Sequence, residues 1–225
     1  MDTRSLPSAK QITSYASAID LIVTIDDPPL KRLLDIVLSS AMLIGSSPIW
    51  LLVAIAIKAE DGGPVFYAQE RWGRGGSIFN VRKFRTMIQN AGLRQAERND
   101  RRITRVGQFL RACGLDELPQ LLNIWRGEMS FVGPRALAVG ETLRDAQGHE
   151  TTYEHVPGFW ERLAVRPGLT GIATIYIPKD APPRRKFRYD RVYVRRQSFM
   201  LDARLIALSF WISFRGKWET RERKL

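Results

Sequence analysis

The sequence predicts an α/β protein. It opens with a re-entrant membrane element (helix, break, helix), followed by a small β-hairpin or sheet and several helices, amphipathic interfacial ones among them. Three observations carry that expectation. The run Ile36–Ile57 is 22 residues without a charge. A strand–turn–strand pattern follows between Val65 and Val81. Beyond it, apolar residues recur at helical intervals between Pro- and Gly-containing breakers.

Charge and composition narrow the partners. Lys and Arg outnumber Asp and Glu by 35 to 23, a formal net charge of +12, which favours a polyanionic partner: nucleic acid, anionic lipid or a phosphate-bearing substrate. A single cysteine, Cys113, excludes an intrachain disulfide and reads as small buried filler. The only histidines are His149 and His155, so a His-rich zinc site is excluded and any metal is held by oxygen.

Residues 1–29 form a polar N-terminal extension that ends in the breaker Asp26-Asp27-Pro28-Pro29, and Met1–Lys10 lacks the pattern of a cleavable signal peptide. Lys31-Arg32 then lead into the apolar element, taken as residues 30–58. An uncharged helix of that length suffices to cross a hydrocarbon core of roughly 30 Å. Two features favour a dip over a crossing. Gly45-Ser46-Ser47-Pro48 stands at its middle, where Pro48 removes a backbone donor and Ser47 offers a hydroxyl to the carbonyls so freed. Basic residues, Lys31-Arg32 and Lys58, flank both ends, so both ends favour the same face. A re-entrant hairpin broken at Ser47-Pro48 satisfies both, in preference to a kinked full span or a buried soluble helix.

Val65-Phe66-Tyr67 and Ser77–Val81 read as paired strands around the glycine-rich turn Arg71–Gly76. Val81–Met87 carries three cations around Phe84. Strand alternation puts Lys83 and Arg85 on one face, as either a solvated basic strand or a diphosphate cradle. Residues 89–108 read as a polar helix and its approach to the next element. Adjacent acids follow in Leu110–Arg135. One reading makes Asp116 a helix N-cap and Glu117 a first-turn acid with Pro119 beside them. The other makes a carboxylate a phosphoryl acceptor, with cations and a metal neutralising the phosphate it attacks.

Leu137–Val156 reads as mobile or weakly helical. Arg166, in Val165–Gly171, serves either a structural loop or a phosphate or uridine contact. The basic, aromatic-interleaved run from Arg184 to Arg196 admits nucleotide stacking. Phe199–Phe214, with Leu201, Leu205, Leu208 and Ile212 at helical spacing, lies either in a membrane interface or against a core. Residues 216–225 form a charged tail.

Four segments, YAQERWGRGGSIFNVRKFRTM, ITRVGQFLR, LDELPQLLNIWRGEMSFVGPR and VRPGLTG, together resemble the bacterial sugar transferases, the monotopic phosphoglycosyl transferases. The resemblance runs in order from about Lys31 to about Leu208. It implies a re-entrant helix broken at Ser47-Pro48 and a cytosolic phosphoglycosyl transferase domain over 59–215. It further implies transfer of a phosphosugar from a UDP-sugar to polyprenyl (undecaprenyl) phosphate, with release of UMP. Asp116 is then the nucleophile that forms an aspartyl-phosphosugar, with Glu117 its partner at Mg²⁺. Lys83, Arg111 and Arg135 fall on phosphate-contacting positions, and Gln120 and Asn123 position groups near the site. The neighbouring cations are expected to hold the Asp116 carboxyl low. The place of action would be the cytoplasmic face of a bacterial inner membrane, among membrane lipid, with a homodimer left open. Many members continue after Thr170-Gly171 with a Trp-Gln or Ala-Gln segment and a Gly-Arg-Asn loop. This chain has residues 172–183 instead, so the donor sugar cannot be borrowed. Competing readings are a non-catalytic scaffold on anionic membrane, a nucleic-acid binder, disfavoured because it rests on charge alone, and a direct-transfer glycosyltransferase that releases UDP.

Overall fold

A computed structural model describes residues 19, 22–89, 100–144, 150–178 and 180–214. In chain order the elements are α1 (Lys31–Asp61), β1 (Phe66–Trp72), β2 (Ile78–Phe84), α2 (Arg105–Cys113), α3 (Gln120–Arg126) and β3 (Ser130–Val132). Then come β4 (Thr142–Arg144), β5 (Glu150–Thr152), α4 (Phe159–Arg162), β6 (Gly168–Thr170), α5 (Ile172–Tyr176), α6 (Pro183–Arg196) and α7 (Phe199–Phe214). Helices dominate, and the strands pair two by two: β1 with β2, β3 with β6, and β4 with β5. Most of the polar helix expected over 89–108, and the tail from 216, lie outside the described residues.

Helix α1 is 31 residues long, and its helical turns run through Pro48 without the interruption expected at Ser47-Pro48. Pro48 leaves the Ile44 carbonyl without its usual i+4 donor. The Ser47 hydroxyl donates to that same carbonyl at 2.8 Å, and the Trp50 indole donates to the Ser46 hydroxyl at 3.1 Å. Helical hydrogen bonding is thereby patched across the proline. It is the one helix among the described residues long and apolar enough to cross a membrane. Its middle, from Ile44 to Ile49, is exposed apart from half-buried Ser46.

The chain divides into two compact units. One comprises Leu34–Gln69 and Asn80–Arg126. Its core is Val53, Ile57, Phe84 and Leu110, with Trp50, Val65, Val106, Leu115 and Leu118 packed around them. Phe84 is the centre: Trp50 meets it edge-on at 5.3 Å and Phe66 stacks on it at 5.5 Å. Alternation in β2 buries Phe79 and Val81 but stops at Phe84, which is followed by a buried Arg85. Strand β2 ends at Phe84, so Arg85, read from the sequence as sharing a strand face with Lys83, lies just beyond the strand.

The other unit comprises residues 1–33, 70–79 and 127–225. Trp72, Phe159, Leu163 and Phe187 form a core there, edged by Leu137, Val139, Tyr153, Val156 and Trp160. Leu137–Val156, expected to be mobile or weakly helical, supplies β4 and β5, paired antiparallel with Thr142 opposite Thr152. In α6, Phe187, Asp190, Tyr193 and Val194 form the buried stripe. Phe187 and Tyr193, at 2% and 1% exposure, are thus unable to stack on nucleotide bases. Helix α7 buries Asp202, Leu205 and Ile212 and leaves Met200, Phe210 and Trp211 exposed. Lys31, the first residue of α1, is buried in this unit. Its ammonium donates to Asp202 at 2.6 Å, to the Val132 carbonyl at 2.9 Å and to the Tyr193 hydroxyl at 3.2 Å.

Parallel strands β3 and β6 pair Ser130 with Gly168 and Val132 with Thr170. Here backbone lies on backbone. A Cβ on Gly133 would overlap the Arg166 carbonyl, one on Gly168 the Gly133 amide, and one on Gly171 the Gly133 carbonyl. The glycines of FVGPR and RPGLTG are there because the two segments interlock.

Gly168→Ala should cost roughly 1–3 kcal/mol of stability, as overpacking does. Thermal unfolding in detergent checks it: an unchanged midpoint contradicts the interlocked backbone.

Candidate active site

Leu115-Asp116-Glu117-Leu118 builds the site from within. Gly114 (φ 68°) takes the left-handed conformation that ends α2, its amide returning to the Arg111 and Leu110 carbonyls. A single 3₁₀ turn over Leu115–Glu117 follows, then α3 after Pro119. Leu115 and Leu118 pack into the core, so the two acids between them stand at its edge. Asp116 is thus neither an N-cap nor in an α-helix. It occupies a tight turn pinned by a leucine on either side.

Strand β2 supplies the opposing cation. Lys83 Nζ lies 2.5 Å from Glu117 Oε1 and 3.9 Å from Asp116 Oδ2. Asn123, fully buried, fixes the strand to α3: its Nδ2 donates to the Asn80 carbonyl at 2.8 Å and its Oδ1 accepts from the Arg82 amide at 3.3 Å. Arg111, on the last turn of α2, directs Nε to the Thr86 hydroxyl at 2.8 Å and adds positive charge near Asp116. Gly107 permits that closeness, because a Cβ there would overlap the Thr86 carbonyl.

The expected low Asp116 carboxyl is corrected. Burial pushes it above its ordinary value; Lys83 and Arg111 pull it down, and Glu117 pushes it up. The side chain is only 14% exposed, and lost hydration outweighs the two cations.

The structure brings Lys83, Arg111, Asp116 and Glu117 together. Gln120 is buried beside Asn123's helix turn. Arg85, offered as part of a diphosphate cradle, is 7% exposed and forks onto the Asp61 carboxylate. In the other unit Arg166 donates from Nε to the Gly127 carbonyl at 2.9 Å and ion-pairs with Asp27. Arg135 is exposed, and its carbonyl accepts from Arg162 Nη2 at 2.6 Å. Arg162 in turn pairs with Asp190 at 2.9 Å. Sequence reasoning missed the contacts of Thr86 with Arg111, of Glu60 with the Arg105 and Val106 amides and of Asp61 with Arg85. Their only signal was two acids closing an apolar helix, where cations usually stand.

As for magnesium, no group of three or more metal-ligating side chains occurs among the described residues. Asp116 and Glu117 offer two adjacent carboxylates. That donor set fits Mg²⁺, which takes one or two carboxylates and completes its shell with water and substrate phosphate.

Comparison with known proteins places the chain. The bacterial sugar transferase family matches residues 27–216. The exopolysaccharide production protein PSS of Rhizobium leguminosarum bv. phaseoli is 41% identical over 189 residues, covering 80% of this chain and 92% of that protein. The UDP-glucose:undecaprenyl-phosphate glucose-1-phosphate transferase of Klebsiella pneumoniae is 38% identical over 212 residues, covering 87% of this chain. A UDP-N-acetylgalactosamine-undecaprenyl-phosphate N-acetylgalactosaminephosphotransferase of Aeromonas hydrophila is 36% identical over 183 residues, covering 79% of this chain. The chain spans 44% and 42% of the length of the last two. It belongs to the bacterial sugar transferase family and is an enzyme.

Because folding raises the Asp116 carboxyl, the native state binds more protons than the unfolded chain between the ordinary carboxylate pKa, about 4, and the raised one. Stability therefore falls as pH rises through that window. Asp116→Asn should gain stability relative to wild type from acid to neutral pH in metal-free buffer. Parallel denaturation curves check it, and identical pH dependence contradicts the burial of this carboxylate.

Proposed function

We propose that the enzyme transfers a sugar 1-phosphate from a UDP-sugar to polyprenyl phosphate in two displacements at phosphorus. An Asp116 oxygen attacks the sugar-bearing phosphorus, forming a P–O bond while the bond to the UMP oxygen breaks. UMP leaves with that electron pair. A phosphate oxygen of the polyprenyl phosphate then attacks the same phosphorus, and the aspartyl bond breaks to return the carboxylate. The observation that carries this reading is a poorly hydrated carboxylate with Lys83 at 3.9 Å and Arg111 nearby. Poor hydration leaves it little water to shed before it attacks, and the cations offset its repulsion from a diphosphate. Lys83 acts as a point charge able to follow the transferring phosphoryl group; Arg111, held by Thr86, presents a fixed guanidinium. Bound magnesium, held by Asp116 and Glu117, would supply further charge neutralisation at the phosphates. The names of the relatives, one for glucose and one for N-acetylgalactosamine, support a UDP-sugar donor and an undecaprenyl-phosphate acceptor.

The membrane arrangement is a dip from the cytoplasmic face of a bacterial inner membrane. Its support is topological. Lys31 opens α1 in contact with Val132, Tyr193 and Asp202, all in the chain that follows the helix. Val53 and Ile57, near its other end, pack with Phe84 and Leu110, also in the chain that follows. No second helix among the described residues is long and apolar enough to cross back. In this reading both ends of α1 lie on one face of the membrane, with the exposed segment around Pro48 as the part that enters lipid.

Purified protein given UDP-sugars, Mg²⁺ and polyprenyl phosphate should release UMP with at least one donor. Release of UDP instead would identify direct glycosyl transfer, and no release with any donor would favour a scaffold. Asp116→Asn should abolish turnover. Lys83→Gln should lower kcat/KM by about 100-fold or more, the scale of removing one charge-stabilising group. Full activity in either variant contradicts the mechanism.

A further inference from the structure

We propose that Glu60 and Asp61, the two acids that close α1, are positioning residues for the phosphoryl-transfer site. They fix the elements that carry Arg111 and Lys83. The inference rests on the phosphosugar-transfer reading for its kinetic consequence, but not for its structural one.

Two links run from this helix end. The Glu60 carboxylate accepts from the first amides of α2, Arg105 N at 2.7 Å through Oε1 and Val106 N at 3.2 Å through Oε2. Those amides have no partner within their own helix, and a carboxylate there also meets the positive end of the helix dipole. Thr104 completes the cap, its hydroxyl accepting from Gly107 N at 3.0 Å. Glu60 therefore sets where α2 begins, and α2 carries Arg111 on its final turn.

The second link is the Asp61–Arg85 fork. Arg85 Nη1 donates to Asp61 Oδ2 at 2.7 Å, and Nη2 donates to Oδ1. Asp61 Oδ1 also accepts from Gly63 N at 3.1 Å. The turn crowds the guanidinium so closely that a Cβ on Gly63 would overlap it. Arg85 follows directly on β2, its amide bonded to the Val65 carbonyl at 2.9 Å. A buried guanidinium that loses its carboxylate must move or draw in water. Lys83 stands two residues before it, on β2.

Thr86 joins the two links. Its carbonyl accepts from Thr104 N at 3.1 Å, and its hydroxyl from Arg111 Nε at 2.8 Å. From Glu60-Asp61, then, the elements bearing both cations near Asp116 are reached within one unit, α2 through the Glu60 carboxylate on its first amides and β2 through the half-buried Asp61–Arg85 pair. Neither acid touches the reacting atoms in this scheme, and Arg85 takes part in the clasp through Asp61.

The test uses the full chain in detergent, comparing wild type with Glu60→Gln, Asp61→Asn and Asp61→Glu. Asp100→Asn, whose carboxylate pairs with Arg102, is the control. Hydrogen exchange over residues 82–87 and 104–113 reads the clasp itself. Exchange should quicken at the start of α2 in Glu60→Gln and around Arg85-Thr86 in Asp61→Asn, but stay unchanged in Asp100→Asn. Steady-state kinetics with UDP-sugar and polyprenyl phosphate read its consequence. For the two amide variants kcat should fall on the order of 10- to 100-fold, the scale of small misplacements of catalytic groups, with KM for the donor little changed. Asp61→Glu should recover part of that loss. Unchanged exchange in the amide variants overturns the clasp whether or not the wild type turns over. Altered exchange with wild-type kcat overturns the positioning role while leaving the transferase reading intact. Absence of UMP release from the wild type strikes that reading alone, and exchange still decides the clasp.

Discussion

The ammonium of Lys83, set against two adjacent carboxylates, is the contact on which the site depends. It lies 2.5 Å from Glu117 and 3.9 Å from Asp116, so it hydrogen-bonds the outer acid and only electrostatically attends the inner one. At 4 Å such an attraction is worth about 4 kcal/mol near a protein surface before desolvation is charged against it. For Asp116 desolvation wins, and its carboxyl is lifted in spite of Lys83 and Arg111. A carboxylate tied fully to a lysine would be a poor nucleophile. One left under-solvated, with cations close but not bonded to its oxygens, suits attack on a phosphorus that itself carries negative charge.

Packing within the site's own unit maintains that balance. Leucines 115 and 118 plug the turn into the core, Gly114 allows the chain to reverse, and Asn123 sutures β2 to α3 through two backbone groups. The apolar helix, long and apolar enough to cross a membrane, is also part of this framework. Trp50, Val53 and Ile57 contribute to the core around Phe84, and Glu60 caps the helix that bears Arg111. In the other unit, interlocked glycines set the segments that carry Arg135 and Arg166. Two buried ion pairs, Lys31–Asp202 and Arg162–Asp190, brace that unit's helices.

What could be read from sequence was what depends on near neighbours in the chain. The length of the apolar run, the β1–β2 hairpin around its glycine turn and the helical spacing in α7 are local patterns, and the structure contains each of them. The Asp-Glu pair flanked by leucines was visible as a motif, and so was its link to Lys83 through family resemblance. What escaped were long-range facts. Nothing local reveals that Arg85 is held by Asp61, 24 residues away. Nor does anything local show that the buried Asn123 amide bridges backbone groups of Asn80 and Arg82. The direction of the Asp116 shift was misjudged for the same reason: charges can be counted from sequence, whereas lost hydration cannot. At Pro48 the expected interruption was mended by a neighbouring hydroxyl, which serine can do wherever its backbone allows.

Incubating the enzyme with a UDP-sugar and Mg²⁺ in the absence of polyprenyl phosphate, followed by acid quench and peptide mass analysis, tests the central claim most directly. A mass increase equal to one phosphosugar, confined to the peptide that contains Asp116 and discharged when acceptor is added, is the predicted result. An adduct on another residue, or steady UMP formation in the presence of acceptor with no adduct ever trapped on Asp116, would contradict it.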